Sequence, residues 1–332
     1  MKILTISIAA YNVEKYLRET LDSLCDYRYI EDLEVLVIDD GSKDSTGVIA
    51  EEYANRYPNS VIYIKKENGG HGSTINRGIM EATGKYFRII DGDDWVDNDS
   101  FYEYMCKLKS VDDDIILTQH KSISTNAEHL NDLVHGLKPD ETYSLDKELG
   151  IELVTLHMLT VRTELLKVNN VRITEKCFYV DVEYVIWALY LASTIRYMEL
   201  PVYMYRVGSI TQSVNKTNMV KNIGMQETVS KKLLLLYDTF SKNVTLSNNK
   251  NEMIFARVNK SVATLMRTYL LLDRKENIKG KIRGFDNVIK STSEGFYQRT
   301  KTEWFFIFLR FGNYMLVPAI RTLYKIWCLR YD

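Results

Sequence analysis

The first 118 residues alternate between two kinds of segment, and few folds accept that rhythm. Residues 3–9, 33–38, 61–64, 86–90 and 115–118 are short runs, apolar at nearly every position. Between them lie stretches with helical spacing: 14–24, with Tyr16, Leu17, Leu21 and Leu24 on one side, then 45–57, 73–82 and 100–108. Asp44 is placed to cap the second helix and Gly84 to end the third. A strand apolar on both faces must be covered on both faces, so the pattern predicts an α/β fold: a Rossmann-like, mostly parallel sheet flanked by helices. In such sheets ligands bind beyond the carboxyl ends of the strands, which is where functional residues are expected.

Three acidic clusters stand at such ends. Asp39-Asp40-Gly41-Ser42 follows the second strand, where a carboxylate can accept from a base or a ribose hydroxyl. The same residues also suit a turn that caps a helix. Asp91-Gly92-Asp93-Asp94 follows the fourth strand. Acids at i and i+2 on a tight loop can share a hard divalent cation, and three acids in four residues repel one another unless something compensates. Asp181-Val182-Glu183 opens a helix predicted over 181–191. Acids there favour the helix dipole, and a carboxylate there could also act as a general base. Between the first two clusters, Glu67 to Ser73 is a glycine-rich loop leading into a helix, without the lysine of a Walker A loop.

In order and spacing these parts resemble glycosyltransferase family 2, the inverting group with a GT-A-type fold. The resemblance covers residues 1 to about 210. Ser7 to Asn12 looks like the family's opening strand and nucleotide loop, Asp39 to Ser42 like its uridine-contacting signature, Asn68 to Gly78 like its central Gly/Asn region, and Ile89 to Asp94 like its metal-binding D-x-D. The resemblance implies a nucleotide-sugar donor, with UDP preferred, contacted by Ala9, Tyr11, Asn12, Asp39, Asp40, Asn68, Gly70, Asn76, Arg77, Asp91, Gly92 and Arg206. It implies Mn²⁺ or Mg²⁺ on Asp93, and Asp181 as the base that deprotonates the acceptor hydroxyl. The chain departs from the family pattern at Ala10, where proline is usual, at Ile75, where arginine is common, and at Val180, where glutamate is usual.

His157, in the segment before Asp181, could line an acceptor pocket, and Trp95 could stack on a sugar face. His71 is a lone histidine, a kind more often packed or solvated than catalytic. The expected organisation is a catalytic domain over 1–215, with a nucleotide-sugar half to about 118 and an acceptor half beyond it. A helical domain over 216–302 follows, then amphipathic helices over 303–332.

The net charge of −1 conceals a division: 16 basic and 29 acidic residues over 1–150, against 27 and 15 over 151–332. The acidic half argues against nucleic acid as a partner, and the basic half suits anionic lipid or phosphorylated substrate, or packing against the acidic half. The last 30 residues hold two aromatic-rich apolar runs interrupted by Arg310, Arg321, Lys325 and Arg330. They are too short and too charged for a span, and fit an interfacial helix pair, or packing within the fold or a homo-oligomer. Cys25, Cys106, Cys177 and Cys328 form no metal or disulfide pattern, and the N-terminal run meets Asn12, Glu14 and Lys15 too early for a secretory signal.

The function that the resemblance and the tail together imply is transfer of a sugar to a glycan or lipid-linked glycan in bacterial surface-polysaccharide synthesis. The enzyme is expected in the cytoplasm, peripheral on the inner face of the cell membrane. Competing readings are an inactive membrane-associated subunit of such an assembly complex, a sugar nucleotidyltransferase, and a haloacid-dehalogenase phosphatase. The last two want a basic glycine loop or a nucleophilic Asp near the N-terminus, and this chain has neither.

Overall fold

The computed structural model describes residues 2–147, 149–208, 212–213, 215–273 and 275–330. The chain divides into two compact units, Met1–Ser209 and Ile210–Asp332. The charge division follows this boundary, with 22 basic and 35 acidic residues before it and 21 and 9 after it.

Strands β1 (Leu4–Ala10), β2 (Leu33–Asp39), β3 (Val61–Lys65) and β4 (Tyr86–Asp91) lie parallel in the order β3-β2-β1-β4. Every residue of β2 is buried, as a strand covered on both faces requires. Helices α1 (Leu17–Leu24), α2 (Thr46–Arg56) and α3 (His71–Glu81) make the crossovers. The chain leaves β1 for β2 on one side, and β4 docks on the other, so the order reverses at β1. The register pairs Ala10 with Asp39 and Ala9 with Asp91, which brings the carboxyl ends of these strands level.

Helix boundaries differ slightly from the sequence expectation. Ser45 is the N-cap of α2, and Asp44 Oδ1 accepts from the Thr46 amide at 3.0 Å from one residue further out. Helix α3 starts two residues early and ends at Glu81, with Ala82 as its C-cap, before Gly84.

Next come β5 (Trp95–Val96), α4 (Asn98–Leu108), β6 (Ile115–Ile123), β7 (Glu128–Asn131), β8 (Thr142–Ser144), a 3₁₀ turn Leu156–Met158, β9 (Leu159–Arg162), α5 (Thr163–Val168), α6 (Asp181–Leu191) and β10 (Thr194–Arg206). β6 does not lie beside β4. The four-residue β9 runs antiparallel between them, and β10 pairs parallel with β6 on its far side. Both β6 and β10 outrun their expected lengths of 115–118 and 194–199. Gln119 and His120 are buried polar residues that hide the strand from a hydropathy pattern, and β10 continues through a register irregularity around Pro201. That continuation carries Tyr203–Arg206 to β5, beside the loop that follows β4.

The second unit is helical: α7 (Lys216–Lys221), α8 (Ile223–Ser241), α9 (Asn248–Leu271), α10 (Ile278–Thr292), α11 (Glu294–Arg299), α12 (Trp304–Tyr314) and α13 (Val317–Arg330). Tyr237, Phe255 and Phe296 form its aromatic centre, with ring centroids 5.1–6.0 Å apart. The tail is not separate from it. Arg310 and Tyr314 both bond the buried carboxylate of Asp286 on α10, at 2.6 Å in each case. Helix α12 breaks at Phe311–Asn313, and Pro318 falls in the first turn of α13, where its missing N–H costs nothing. No described helix is long and apolar enough to cross a membrane. Residues 331 and 332 of the expected tail, and 209–211 and 214 near the expected boundary at 215, lie outside the described residues.

Candidate active site

The loop Asp91 to Asp94 closes tightly, with the Asp94 amide donating to the Asp91 carbonyl at 3.0 Å and the Gly92 amide to the Ala9 carbonyl at 3.0 Å. Asp94 points inward and is 1% exposed. Its Oδ2 accepts from the Tyr203 hydroxyl at 2.6 Å, and its Oδ1 from the Arg206 amide at 2.7 Å. Thr20 on α1 adds a bond to the Asp94 carbonyl at 2.6 Å. The loop is thereby clamped between α1 and β10. Asp91 and Asp93 are left half-buried at the surface of this clamp.

The three carboxyls differ electrostatically. Burial, with Asp91 alongside, pushes Asp93 up to about 6. Burial and its two acidic neighbours raise Asp94 well above the ordinary carboxylate value. Burial also works against Asp91, but His71 outweighs it and holds Asp91 below that value. His71 Nε2 lies 3.3 Å from Asp91 Oδ1. Burial disfavours a charged His71, yet Asp91, then Asp181 and Asp40, raise it above the ordinary histidine value. Acids from the ends of β4 and β2 and the start of α6 therefore act on one imidazole.

The loop after β2 serves the glycine loop. Asp40 Oδ1 accepts from Lys66 Nζ at 2.5 Å and the Gly69 amide at 2.9 Å, and its Oδ2 from the Gly70 amide at 2.8 Å. Asp39 accepts from the Ser42 amide at 2.7 Å and the Tyr63 hydroxyl at 3.0 Å. Asn12, at φ +53, joins the first loop to the second by bonds to Ser42 and Lys43, and Asn68 bonds the Asp40 carbonyl. Tyr11 is 48% exposed beside Asn12. Asp39 and Asp40 are both buried, and in this arrangement Asp40 shapes the loop.

The start of α3 packs against the segment that leads to Asp181. Gly70 takes φ +78, and a Cβ on Gly72 would sit 1.9 Å from the Thr174 carbonyl oxygen. Asn76 pins the same segment: its amide donates to the Ile173 carbonyl and to Glu175, and accepts from the Ile173 amide at 2.8 Å. Glu183 Oε2 accepts from the Thr174 amide at 3.0 Å. Tyr179 then turns the chain at φ +67, a strained conformation for an aromatic residue, and α6 begins at Asp181. Two expected donor contacts have other work here. Asn76 holds the 173–175 segment, and Arg77 pairs with Glu81 one turn along its own helix at 2.7 Å.

Arg206 ends β10, seven residues beyond the strand end expected at 199. Its guanidinium stands between the rings of Tyr16 and Trp95, 4.8 and 4.5 Å from their centroids. Nε donates to the Asp93 carbonyl at 2.9 Å, and one terminal nitrogen meets Glu19 at 2.6 Å. Trp95 therefore gives a ring face to Arg206. His157 stacks on Tyr205 at 4.3 Å and meets Tyr203 edge-on at 5.0 Å. Beneath it, the wholly buried Arg88 bonds the His157 carbonyl, Thr118 and Thr160.

One ligand atom each of Asp91, Asp94 and His157 lie within 4.8 Å of one another. That group does not include the expected ligand Asp93, and its Asp94 already accepts from Tyr203 and Arg206. Oxygen donors crowded with like charge fit Mg²⁺ or Mn²⁺. Sequence reasoning did not single out Asp94, Tyr203, Tyr205, Glu19 or Lys66 as site residues. Asp94 lay in the acidic motif itself and Tyr203 and Tyr205 beside Arg206, but nothing in the pattern marked Glu19 or Lys66.

Residues 5–166 match the model of glycosyl transferase family 2. The minor teichoic acid biosynthesis protein GgaB of Bacillus subtilis is 29% identical over 183 residues, 52% of this chain and 19% of that protein. The putative glycosyltransferase EpsH of the same organism is 28% identical over 244 residues, 68% of this chain and 67% of that one. The chain thus spans about a fifth of GgaB. Among solved structures, residues 1–349 of S. aureus TarS superpose with a TM-score of 0.68 at 20% identity, covering 99% of this chain and 92% of that one. The complex of the same protein with UDP-GlcNAc superposes with a TM-score of 0.62. This likeness identifies the fold as GT-A.

Proposed function

Because residues 5–166 belong to glycosyl transferase family 2, we propose that the chain moves a sugar from a nucleotide donor to a hydroxyl of an acceptor, with inversion. One observation carries the reading: the register brings the acid-bearing ends of β2 and β4 level at the carboxyl end of the sheet, and Asn76 of α3 pins there the segment that leads to Asp181. A donor carboxylate and a base on opposite sides of a reacting carbon need this juxtaposition.

In this proposal the donor is a UDP-sugar, supported by the UDP-GlcNAc complex of TarS. The nucleoside lies along Ala9, Tyr11, Asn12 and Asp39, with Asp40, Asn68 and Gly70 shaping its loop. Asp93, with Asp91 beside it, holds the divalent cation, which when bound neutralises charge on the diphosphate. Arg206 adds positive charge there, preorganised by the two rings that enclose it. Asp181 takes the proton of the acceptor hydroxyl as that oxygen attacks the anomeric carbon. One displacement inverts the centre, and no covalent enzyme intermediate forms.

The acceptor is a hydroxyl of a glycan or lipid-linked glycan of a bacterial surface polymer, a reading supported by the teichoic acid relative. The protein works on the inner face of the membrane, held by the helices of the tail. The test is donor hydrolysis with UDP-, GDP- and dTDP-sugars in Mn²⁺, Mg²⁺ or EDTA. Metal-dependent release of the nucleoside diphosphate from one donor is expected. Silence from every donor, together with no donor binding by calorimetry, would favour an inactive subunit of an assembly complex.

A further inference from the structure

The positive charge of the second unit has a local focus. Residues 290–330 hold seven basic side chains and two acidic ones. Three of the cations gather on one ring. Lys290 of α10, Lys301 just past α11 and Arg310 of α12 stand 5.8, 5.6 and 4.3 Å from the centroid of the half-buried Tyr297. A ring face attracts each cation, but it carries no net charge and leaves them to repel one another.

Arg310 is neutralised. It binds both carboxylate oxygens of Asp286, at 2.6 to 3.1 Å. Asp286 is 3% exposed and also accepts from Tyr314, so this carboxylate is enclosed by partners of its own. The two lysines have no such partner. Both are exposed, and neither forms an ion pair among the described residues. The two acids of the stretch do not serve them: Glu294 accepts from Gln298 in its own helix, and Glu303 is the N-cap of α12. Two uncompensated ammoniums beside one ring are suited to an anion that can take a donor from each.

The neighbourhood indicates the kind of anion. Arg310 follows Ile307 by three residues on α12, so the cations border the exposed face of Trp304, Ile307 and Phe308. Lys301 stands three residues ahead of Trp304. A soluble anion leaves that apolar face in water. A lipid engages both features, its phosphate at the cations and its acyl chains against the aromatics.

We propose that Lys290 and Lys301, gathered around Tyr297, form a headgroup site for the phosphate of an anionic membrane lipid. The inference rests on the membrane reading of the tail given above and adds the groups that recognise the lipid. The two ammoniums donate to the phosphate oxygens, while Arg310, tied to Asp286, lies over the ring between them and the apolar face.

The experiment measures partitioning of the full-length protein onto vesicles of phosphatidylcholine with and without phosphatidylglycerol. It compares the wild type, the double variant Lys290→Ala, Lys301→Ala, and the double variant Lys275→Ala, Lys279→Ala, which removes the same charge from exposed lysines of the same unit. The first pair is expected to lose about 30-fold on the anionic vesicles, and the second less than about fivefold, because only the first faces the phosphate. Equal losses in the two pairs would mean diffuse attraction without a site and overturn the proposal, as would no loss in the first pair. Release of the wild type from the vesicles by glycerol phosphate at constant ionic strength would make this a site for a soluble phosphate and overturn the lipid assignment. A wild type that does not bind anionic vesicles fails before any substitution is made, and brings down the membrane reading along with the proposal.

Discussion

The hydroxyl of Tyr203 donates to the carboxylate of Asp94 across 2.6 Å, with both side chains sealed from solvent. This contact joins strand β10 to the acidic loop and turns the other carboxylates of the loop outward. Tyr203→Phe removes the donor and leaves a buried carboxylate short of a partner. The expected cost is about 1–3 kcal/mol of stability. Donor binding in Mn²⁺ should weaken as well, because the loop is no longer clamped. Urea unfolding and donor calorimetry check both effects, and a variant as stable and as tight as the wild type would contradict this account.

Asp181→Asn keeps the size of the side chain and removes the basic oxygen. Donor affinity should stay within about twofold, while transfer to the acceptor falls about 10²–10⁴-fold, the range of general-base contributions. Transfer at the wild-type rate would rule out Asp181 as the base.

Much of the first unit was legible because burial on both faces leaves a plain mark. The apolar runs of β1 to β4 and the acids that end β2 and β4 are found where the sequence put them. β9 was not legible: four residues reading Leu-Thr-Val-Arg carry too little pattern. The ends of β6 and β10 were lost because buried polar residues such as Gln119 and His120, and Pro201 within β10, read as loop. In the site, local motifs named Asp91, Asp93 and Asp181. They could not say that Asn76 holds the 173–175 segment, or that Glu19 meets Arg206, since partners 97 and 187 residues apart are a product of the fold.

Asp93→Ala removes an outward-facing carboxylate without breaking the Tyr203 clamp. Donor binding should lose its dependence on Mn²⁺, so that EDTA changes the affinity of the variant by less than about twofold while weakening the wild type at least tenfold. Equal metal responses would place the cation on other residues.

Asn76→Ala deletes three hydrogen bonds to Ile173 and Glu175, about 1 kcal/mol each before relaxation. Those bonds hold the chain that delivers Asp181, so the rate constant of transfer should fall more than donor affinity does. A variant that loses UDP binding and keeps its turnover would instead return Asn76 to the nucleotide.

The tail makes the last prediction. Phe305, Phe306 and Leu309 of α12 are buried, and Arg310 and Tyr314 lock the helix to Asp286. That lock leaves Trp304, Ile307 and Phe308 exposed at the helical spacing i, i+3 and i+4, an apolar face, with Phe311 exposed at the break that follows. The unit that carries it holds 21 basic and 9 acidic residues. An apolar aromatic face on a cationic body suits an anionic lipid surface. The full-length protein should therefore float with phosphatidylglycerol vesicles, more weakly at high salt, and stay behind with phosphatidylcholine. Burying an aromatic side chain is worth about 1.5–3 kcal/mol. Replacing Trp304, Phe308 and Phe311 together by serine should then lower vesicle partitioning by 100-fold or more, roughly. Hydrolysis of a soluble donor is measured alongside as the control for correct folding of the variant. If the triple variant floats like the wild type, the exposed face does not hold the lipid. If the variant alone loses a dimer detected by light scattering, the face belongs to a second copy of the chain.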